Sequence, residues 1–358
     1  MNADKAAVPE IPILSANPIL IEAERGEVVE NIYRGAFAVV GADGRTVAGR
    51  GDIHRPVFPR SAAKPLQALA LVESGAADAF ALRPREIALA CASHSGEAVH
   101  VAAVRAWLER LDLGVGDLEC GVMEPYDTDT ARALCTSGGV PNAFHHMCSG
   151  KHSGFLTLAK HLGGPTRGYI EADHPVQRRV RAVIEEMSGA RLTPHVCATD
   201  GCGIPTFALP LVAFAAALAR LAQPRIKPQN QVFAAERIDA CRRVCKAMAS
   251  HPDLVGGRGR FDTRAMIATR GRVLLKSGAE GVYAMIAPEA GLGIALKIDD
   301  GDKRASEMVA ANLLNALGLL DGPARDALKE DLECPWLNVA GKRVGVIRPA
   351  GDAFSALL

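Results

Sequence analysis

Strand-forming segments sit at the two ends of this 358-residue chain and helix-forming segments fill the middle, and that distribution constrains the fold more than any other feature. Residues 27–50 (EVVENIYRGAFAVVGADGRTVAGR) are rich in β-branched side chains, and Asp43-Gly44 between two such runs marks a hairpin turn. Two or three antiparallel strands are predicted there. From 61 to 74 (SAAKPLQALALVES) the apolar spacing turns helical, with Gly75 as the stop. Further helices are predicted around 83–91, 97–111, 150–162, 175–188, 205–222 and 230–250. Strand character returns at 272–276, 281–287 and 291–299, followed by an amphipathic helix at 303–320 and a last strand, KRVGVIRP. Strands this far apart in sequence bury a shared face most simply as one antiparallel sheet. The predicted class is α/β (α+β): a sheet from about 27–50 and 272–348, a helical excursion over about 61–250, and no pair of tandem domains. Residues 21–358 then form a single domain behind an N-terminal extension at 1–20. The QPRIKPQNQ segment at 223–231 reads as an exposed linker or as a helix-to-helix loop.

Composition narrows the partners. With 41 Lys+Arg against 40 Asp+Glu the formal charge is +1, which argues against a nucleic-acid or polyphosphate binder. Aromatics make up only 4% of residues, too few for a base-stacking platform. Nine cysteines, at 91, 120, 135, 148, 197, 202, 241, 245 and 334, are odd in number and form no regular ladder, so reduced thiols are expected rather than a secreted disulfide framework. Pro9, Pro12 and Pro18 interrupt the start, which has no basic and apolar signal-peptide pattern. The longest apolar stretch, Ile204 to Ala219, contains Pro205 and Pro210 and stops at Arg220, short of a membrane span. A soluble cytoplasmic protein with no membrane contact is the expectation.

Three groups of residues could carry chemistry. The first is Ser61-Ala-Ala-Lys64, where an extended segment hands over to a helix that Pro65 requires to begin close by. Residues at i and i+3 share a helix face, so a neutral Lys64 amine could take the Ser61 proton. The plainer alternative makes Ser61 an N-cap and Lys64 a solvated charge. The second is Lys276-Ser277-Gly278 at the end of the strand RVLLK, with Ser93-His94-Ser95-Gly96 between the two. Ser-x-x-Lys followed by such elements partly matches the signatures of penicillin-binding proteins and class A β-lactamases, although His94 stands where those enzymes carry Asp. Taken singly, Ser93 also reads as a turn residue and Lys276 as a strand-end charge. The third is Cys148-Ser-Gly-Lys151-His152 together with Asp200-Gly-Cys202-Gly, in Gly-flanked loops. Two thiolates and one or two nitrogens suit zinc, but two buried free cysteines fit as well. His145 and His146 are further possible ligands.

Together, EVVENIYRG (27–35), FPRSAAKPLQA (58–68), CASHSGE (91–97), CSGKHSG (148–154), TDGCGIPTFALPL (199–211), GGRGRFDT (256–263) and LLKSGAEGV (274–282) closely resemble the rhizobial-type, class 3 L-asparaginases, the thermolabile asparaginase II family. The resemblance runs from about residue 20 to the last strand. It implies a fold similar to serine β-lactamases and glutaminases, a homodimer, and hydrolysis of L-asparagine to L-aspartate and ammonia. It also implies two Ser-Lys tandems, Ser61 with Lys64 and Ser93 with Lys276. The family's zinc site falls on Cys148, Lys151 and Cys202, its neighbouring carboxylate on Asp200, and two substrate-pocket positions on Arg60 and His152.

On that footing Ser61 is the expected nucleophile, Lys64 its base, and the Ser93 and Lys276 pair the keeper of the proton inventory, with zinc orienting the substrate. Either serine can still be the nucleophile. A β-lactamase-like acyl hydrolase and a non-catalytic zinc-binding protein are the alternative readings. A zinc deaminase is excluded, because the H-x-E and P-C-x-x-C pair is missing.

Overall fold

The computed structural model describes residues 16–224 and 232–357. Most of the predicted extension (1–15) and the loop or linker reading at 225–231 lie outside the described residues. Eight strands form the main sheet: β1 Ile19–Arg25, β2 Val28–Gly41, β3 Thr46–Arg50, β4 Leu274–Ser277, β5 Val282–Ala287, β6 Leu292–Ile298, β7 Cys334–Leu337 and β8 Arg343–Pro349. Their order is β7-β8-β1-β2-β6-β5-β4, with β3 also paired to β2, and every pairing is antiparallel. The mixed α/β class and the sheet shared by both chain ends are therefore as expected. With 14 residues, β2 is long enough to pair β1 along its first half and both β3 and β6 along its second. Asp43-Gly44 makes the β2–β3 turn, with Gly44 at φ +84°.

Two strands escaped the sequence reading. β1 occupies what looked like a Pro-rich lead-in, because Pro18 precedes its first residue and blocks none of the ladder. β7 contains Pro335 and is tolerated because it is the edge of the sheet.

The main helices are α1 Lys64–Glu73, α2 Pro84–Ala90, α3 Ala98–Glu109, α4 Thr128–Thr136, α5 Ser149–His161, α6 Pro175–Ser188, α7 Leu211–Ala222, α8 Ala235–Ser250, α9 Phe261–Ala268 and α10 Lys303–Ala316. The helix expected over 205–222 begins only at Leu211. Pro205–Phe207 and Leu209–Pro210 are short strands instead, since a residue before proline is pushed out of the helical region. Helices α4 and α9 had no counterpart in the sequence reading.

Both α7 and α10 pack on β5 and β6, and β5 is buried at every residue, so the centre of the sheet is covered on both faces. The α7 backbone comes so close that a Cβ at Gly293 of β6 would lie 2.1 Å from the Ala219 nitrogen. The remaining helices form a layer in which α1 packs on α5, α6 and α8. The short turn Arg60–Ala63 bridges that layer to β4 and β5. At Gly278, just beyond β4, a Cβ would meet the Pro59 carbonyl oxygen at 2.5 Å, so this residue lets the strand end and the serine turn touch.

Candidate active site

Ser61 sits in a 3-10 turn that precedes α1, and Lys64 is the first residue of α1. The N-cap of α1 is Ala63, so Ser61 is not its cap. Arg60, immediately before Ser61, has φ +52°, a left-handed conformation that costs a non-glycine residue about 1–2 kcal/mol. The Ser61 hydroxyl donates to and accepts from no protein group, and its backbone N–H has no acceptor among the described residues. It opens on a cleft of about 200 Å³ that Ser93, Ser277, Arg260 and Tyr126 also line.

Lys64 is 1% exposed, which rules out the solvated-charge reading. Its amine lies within hydrogen-bond distance of the Ala92 carbonyl at 2.6 Å, Ser93 Oγ at 2.9 Å and Cys148 Sγ at 3.1 Å. The expected Ser61–Lys64 hydrogen bond is therefore not made. A desolvated amine must use its donors, and the loop after α2 presents acceptors where the Ser61 turn, one 3-10 turn back, does not. Burial pulls the Lys64 amine below its ordinary value; the Cys148 thiol opposes this and the Lys151 charge reinforces it.

Lys276 shows the same re-pairing. It is fully buried and donates to the Ser277 carbonyl at 2.7 Å, with Ser277 Oγ at 3.4 Å, and not to Ser93. Ser277 Oγ in turn donates to Asp262 Oδ2 at 2.7 Å. Asp262, on α9, draws the strand-end serine and lysine to its own side. Burial pushes the Lys276 amine down to about 7, with Asp262 opposing and Lys64 adding to the shift.

Cys148 and Cys202, far apart in sequence, come close enough for each thiol to shift the other's titration, and Lys151 Nζ lies 2.9 Å from Cys202 Sγ. The neighbouring Cys202 thiol holds the Cys148 thiol well below its usual range, against burial and with help from Lys64 and Lys151. The Cys148 sulfur and burial push Cys202 up. Burial pulls Lys151 down, but the two sulfurs outweigh it and keep its proton on. All three side chains are at most 5% exposed. Among the described residues no cluster of three or more His, Cys, Asp or Glu side chains is placed to hold a metal ion. A metal here must take the lysine nitrogen as its third donor. Two thiols and an amine converging in one buried pocket are chemically a zinc donor set once Lys151 gives up its proton, so the residues fit the ion.

Of the substrate positions, Arg60 Nε pairs with Asp200 Oδ1 at 2.5 Å, which joins two of them directly. His152 is fully buried; its Nδ1 bonds the Tyr169 hydroxyl at 2.8 Å while Nε2 has no partner. Burial and the Lys151 charge hold its ring well below the usual histidine range. His94 bonds Ser149 Oγ at 2.8 Å and accepts from the Gly96 N–H, a packing role. His145 and His146 each accept a backbone N–H on Nδ1, from Asn142 and Cys148. The sequence reading missed Arg260, Asp262, Tyr126, Tyr283 and Lys303. Arg260 and Asp262 lie inside GGRGRFDT, whose glycines were the available signal; the others carry none in sequence.

Comparison with known proteins follows the same lines. In solved structures the chain is similar to the crystal structure of Mglu in its native form, at 17% identity and TM-score 0.45, covering 81% of this chain and 66% of that one. It is also similar to a beta-lactamase from Mycobacterium bovis, at 15% identity and TM-score 0.41, covering 83% of this chain and 94% of that one. The chain thus spans just under two thirds of Mglu. No curated protein matches it significantly. The family model of L-asparaginase II matches residues 21–349, which takes in the Ser61 turn, the buried Lys64 and Lys276, Cys148 and Cys202, and all of the sheet but the first two residues of β1; the chain belongs to the L-asparaginase II family.

Proposed function

We propose that this protein hydrolyses the side-chain amide of L-asparagine to L-aspartate and ammonia, with Ser61 as nucleophile. The observation that carries the proposal is the partnerless Ser61 hydroxyl, facing a cleft of about 200 Å³ in a chain of the L-asparaginase II family. That volume is below the roughly 300–1,000 Å³ of drug-sized sites, which favours a small amide over a β-lactam. Ser61 Oγ bonds to the amide carbon while its proton passes by way of Ser93 Oγ to a neutral Lys64. The oxyanion is held by backbone N–H groups, including that of Ser61. The carbon–nitrogen bond breaks as the proton returns from Lys64 to the leaving amine, and ammonia departs. Water then cleaves the acyl-serine ester by the same route in reverse. Lys276, when charged, disfavours a second charge on Lys64 and so keeps the base neutral.

Cys148, Lys151 and Cys202 would hold zinc, with Asp200, Arg60 and His152 around it. Bound there, the ion supplies a fixed positive charge that positions substrate. The reading includes one asparaginase domain from residue 21, working as a cytoplasmic homodimer on a small molecule, with no nucleic-acid or membrane partner. No helix among the described residues is long and apolar enough to cross a membrane.

Ammonia release from asparagine, with glutamine alongside, is the test. Ser61→Ala is expected to abolish it and leave the melting temperature unchanged. More than a trace of activity in that variant removes Ser61 from the role and leaves Ser93, which already bonds Lys64, as the nucleophile. Hydrolysis of nitrocefin in place of asparagine would establish the β-lactamase-like alternative. Metal analysis is expected to find zinc in the purified protein and none in Cys202→Ser; zinc retained in that variant refutes the ligand assignment. Melting of the fold on chelation would favour the structural-zinc alternative.

A further inference from the structure

The cationic side chains around the cleft have protein partners, with one exception. Arg60 is neutralised by Asp200, the Lys64 and Lys276 amines donate to protein acceptors, and Lys303 bonds the Tyr126 hydroxyl at 3.2 Å with Glu307 at 3.6 Å. Arg260 lines the same cleft as Ser61 and Ser93, and none of its guanidinium nitrogens donates a hydrogen bond to the described residues. Nε and Nη1 are sealed from solvent as well as unpartnered. The guanidinium carbon lies over the Tyr126 ring, 4.5 Å from its centroid, and no carboxylate comes within 4.0 Å of the guanidinium. Asp262 and Glu307 are the acidic groups nearest it, and Glu280 lines the same cleft; one Asp262 oxygen is used by Ser277 and the other, Oδ1, is itself unpartnered.

A buried N–H left without an acceptor is costly, and a guanidinium presents its donors as a planar fork that matches a carboxylate. We propose that Arg260 is the specificity-determining residue that takes the α-carboxylate of the amino-acid substrate, with Tyr126, tied down by Lys303, as the residue that positions it. The inference rests on the asparagine-hydrolase reading and deepens it. The site selects a free α-carboxylate, so an asparagine whose carboxylate is amidated or inside a peptide is refused.

The test compares wild type, Arg260→Gln and Arg260→Lys on L-asparagine and on 3-aminopropanamide, which is asparagine without its α-carboxylate, with L-aspartate binding followed by calorimetry. Melting temperatures check that each variant is folded. Arg260→Gln is expected to raise KM for asparagine and Kd for aspartate by about 10- to 150-fold, the worth of a hydrogen-bonded charge, with kcat changed far less. Its kinetics on 3-aminopropanamide should match wild type, and Arg260→Lys should recover part of the asparagine affinity. An equal rise of KM for both amides, or unchanged aspartate binding, overturns the assignment and makes Arg260 a partner of Asp262 through solvent. Failure of the wild type to release ammonia while it still binds aspartate through Arg260 refutes the hydrolase reading alone. Failure to bind either amino acid refutes both.

Discussion

Replacing Lys64 with methionine isolates what its amine does. The unbranched methionine stem fills the same volume, so packing changes little. Lost are the donations to Ala92, Ser93 and Cys148, at 2.6, 2.9 and 3.1 Å. The Ala92 carbonyl is left without that donor, at a cost of about 1–3 kcal/mol. Against this stands relief from burying an amine among two others, Lys151 and Lys276, which are 2% and 0% exposed. The two contributions have similar size and opposite sign, so net stability should move by less than about 2 kcal/mol, a shift of a few degrees in melting temperature. The effect on chemistry is much larger. Removing a general base costs about 10²- to 10⁴-fold, equivalent to roughly 3–5 kcal/mol of barrier. Steady-state ammonia release should show kcat reduced at least a hundredfold with KM within a few-fold of wild type. Lys64→Arg is the control, because a guanidinium keeps the charge but does not give up its proton, and it should be as inactive as methionine. An active Lys64→Arg, or a Lys64→Met within tenfold of wild-type kcat, refutes the base assignment. A collapse of the melting temperature assigns Lys64 to the core instead.

Lys276 predicts a pH-dependent stability. Its folded value of about 7 lies below the ordinary 10.5. Between those values the unfolded chain holds the proton and the folded one does not, so the lysine opposes folding less and less as pH rises from 7 to 10.5; below 7 its full cost is present. Lys276→Met should therefore raise the melting temperature more at pH 6 than at pH 9.5, and an equal or reversed gain contradicts a depressed lysine. Gly293→Ala should destabilise by at least about 1–3 kcal/mol, because its Cβ would enter the α7 backbone, and an unchanged denaturation midpoint would show that α7 does not sit that close.

Legibility in sequence followed the range of the interaction. Helix α6, over Pro175–Ser188, matches the predicted span because proline at the first turn, glycine just past the end and apolar periodicity are all local signals. The start of α7 was misplaced because apolar residues at 205–210 look alike in a helix and a buried strand, and only pairing with Cys197–Thr199 and Pro56–Val57 separates them. Cys148, Lys151 and Cys202 were legible as a candidate donor set from their residue types and Gly-flanked loops, but spacing alone could not show that residues 148 and 202 come together. Arg260 went unread, since an arginine in a Gly-rich loop looks solvated until its neighbours are known.

By itself the sequence determined most of the strands and helices, though not β1, β7, α4 or α9, that both chain ends share one sheet, and which family's motifs run through the chain, because periodicity, turn chemistry and motif order are properties of short stretches. Only the tertiary structure decided which amine meets which hydroxyl: Lys64 reaches Ser93 rather than Ser61, and Lys276 reaches Ser277 and so Asp262 rather than Ser93. The physical reason is desolvation. An amine taken out of water bonds the acceptors that the packed fold holds within about 3 Å, and those come from other segments of the chain as readily as from its own helical turn.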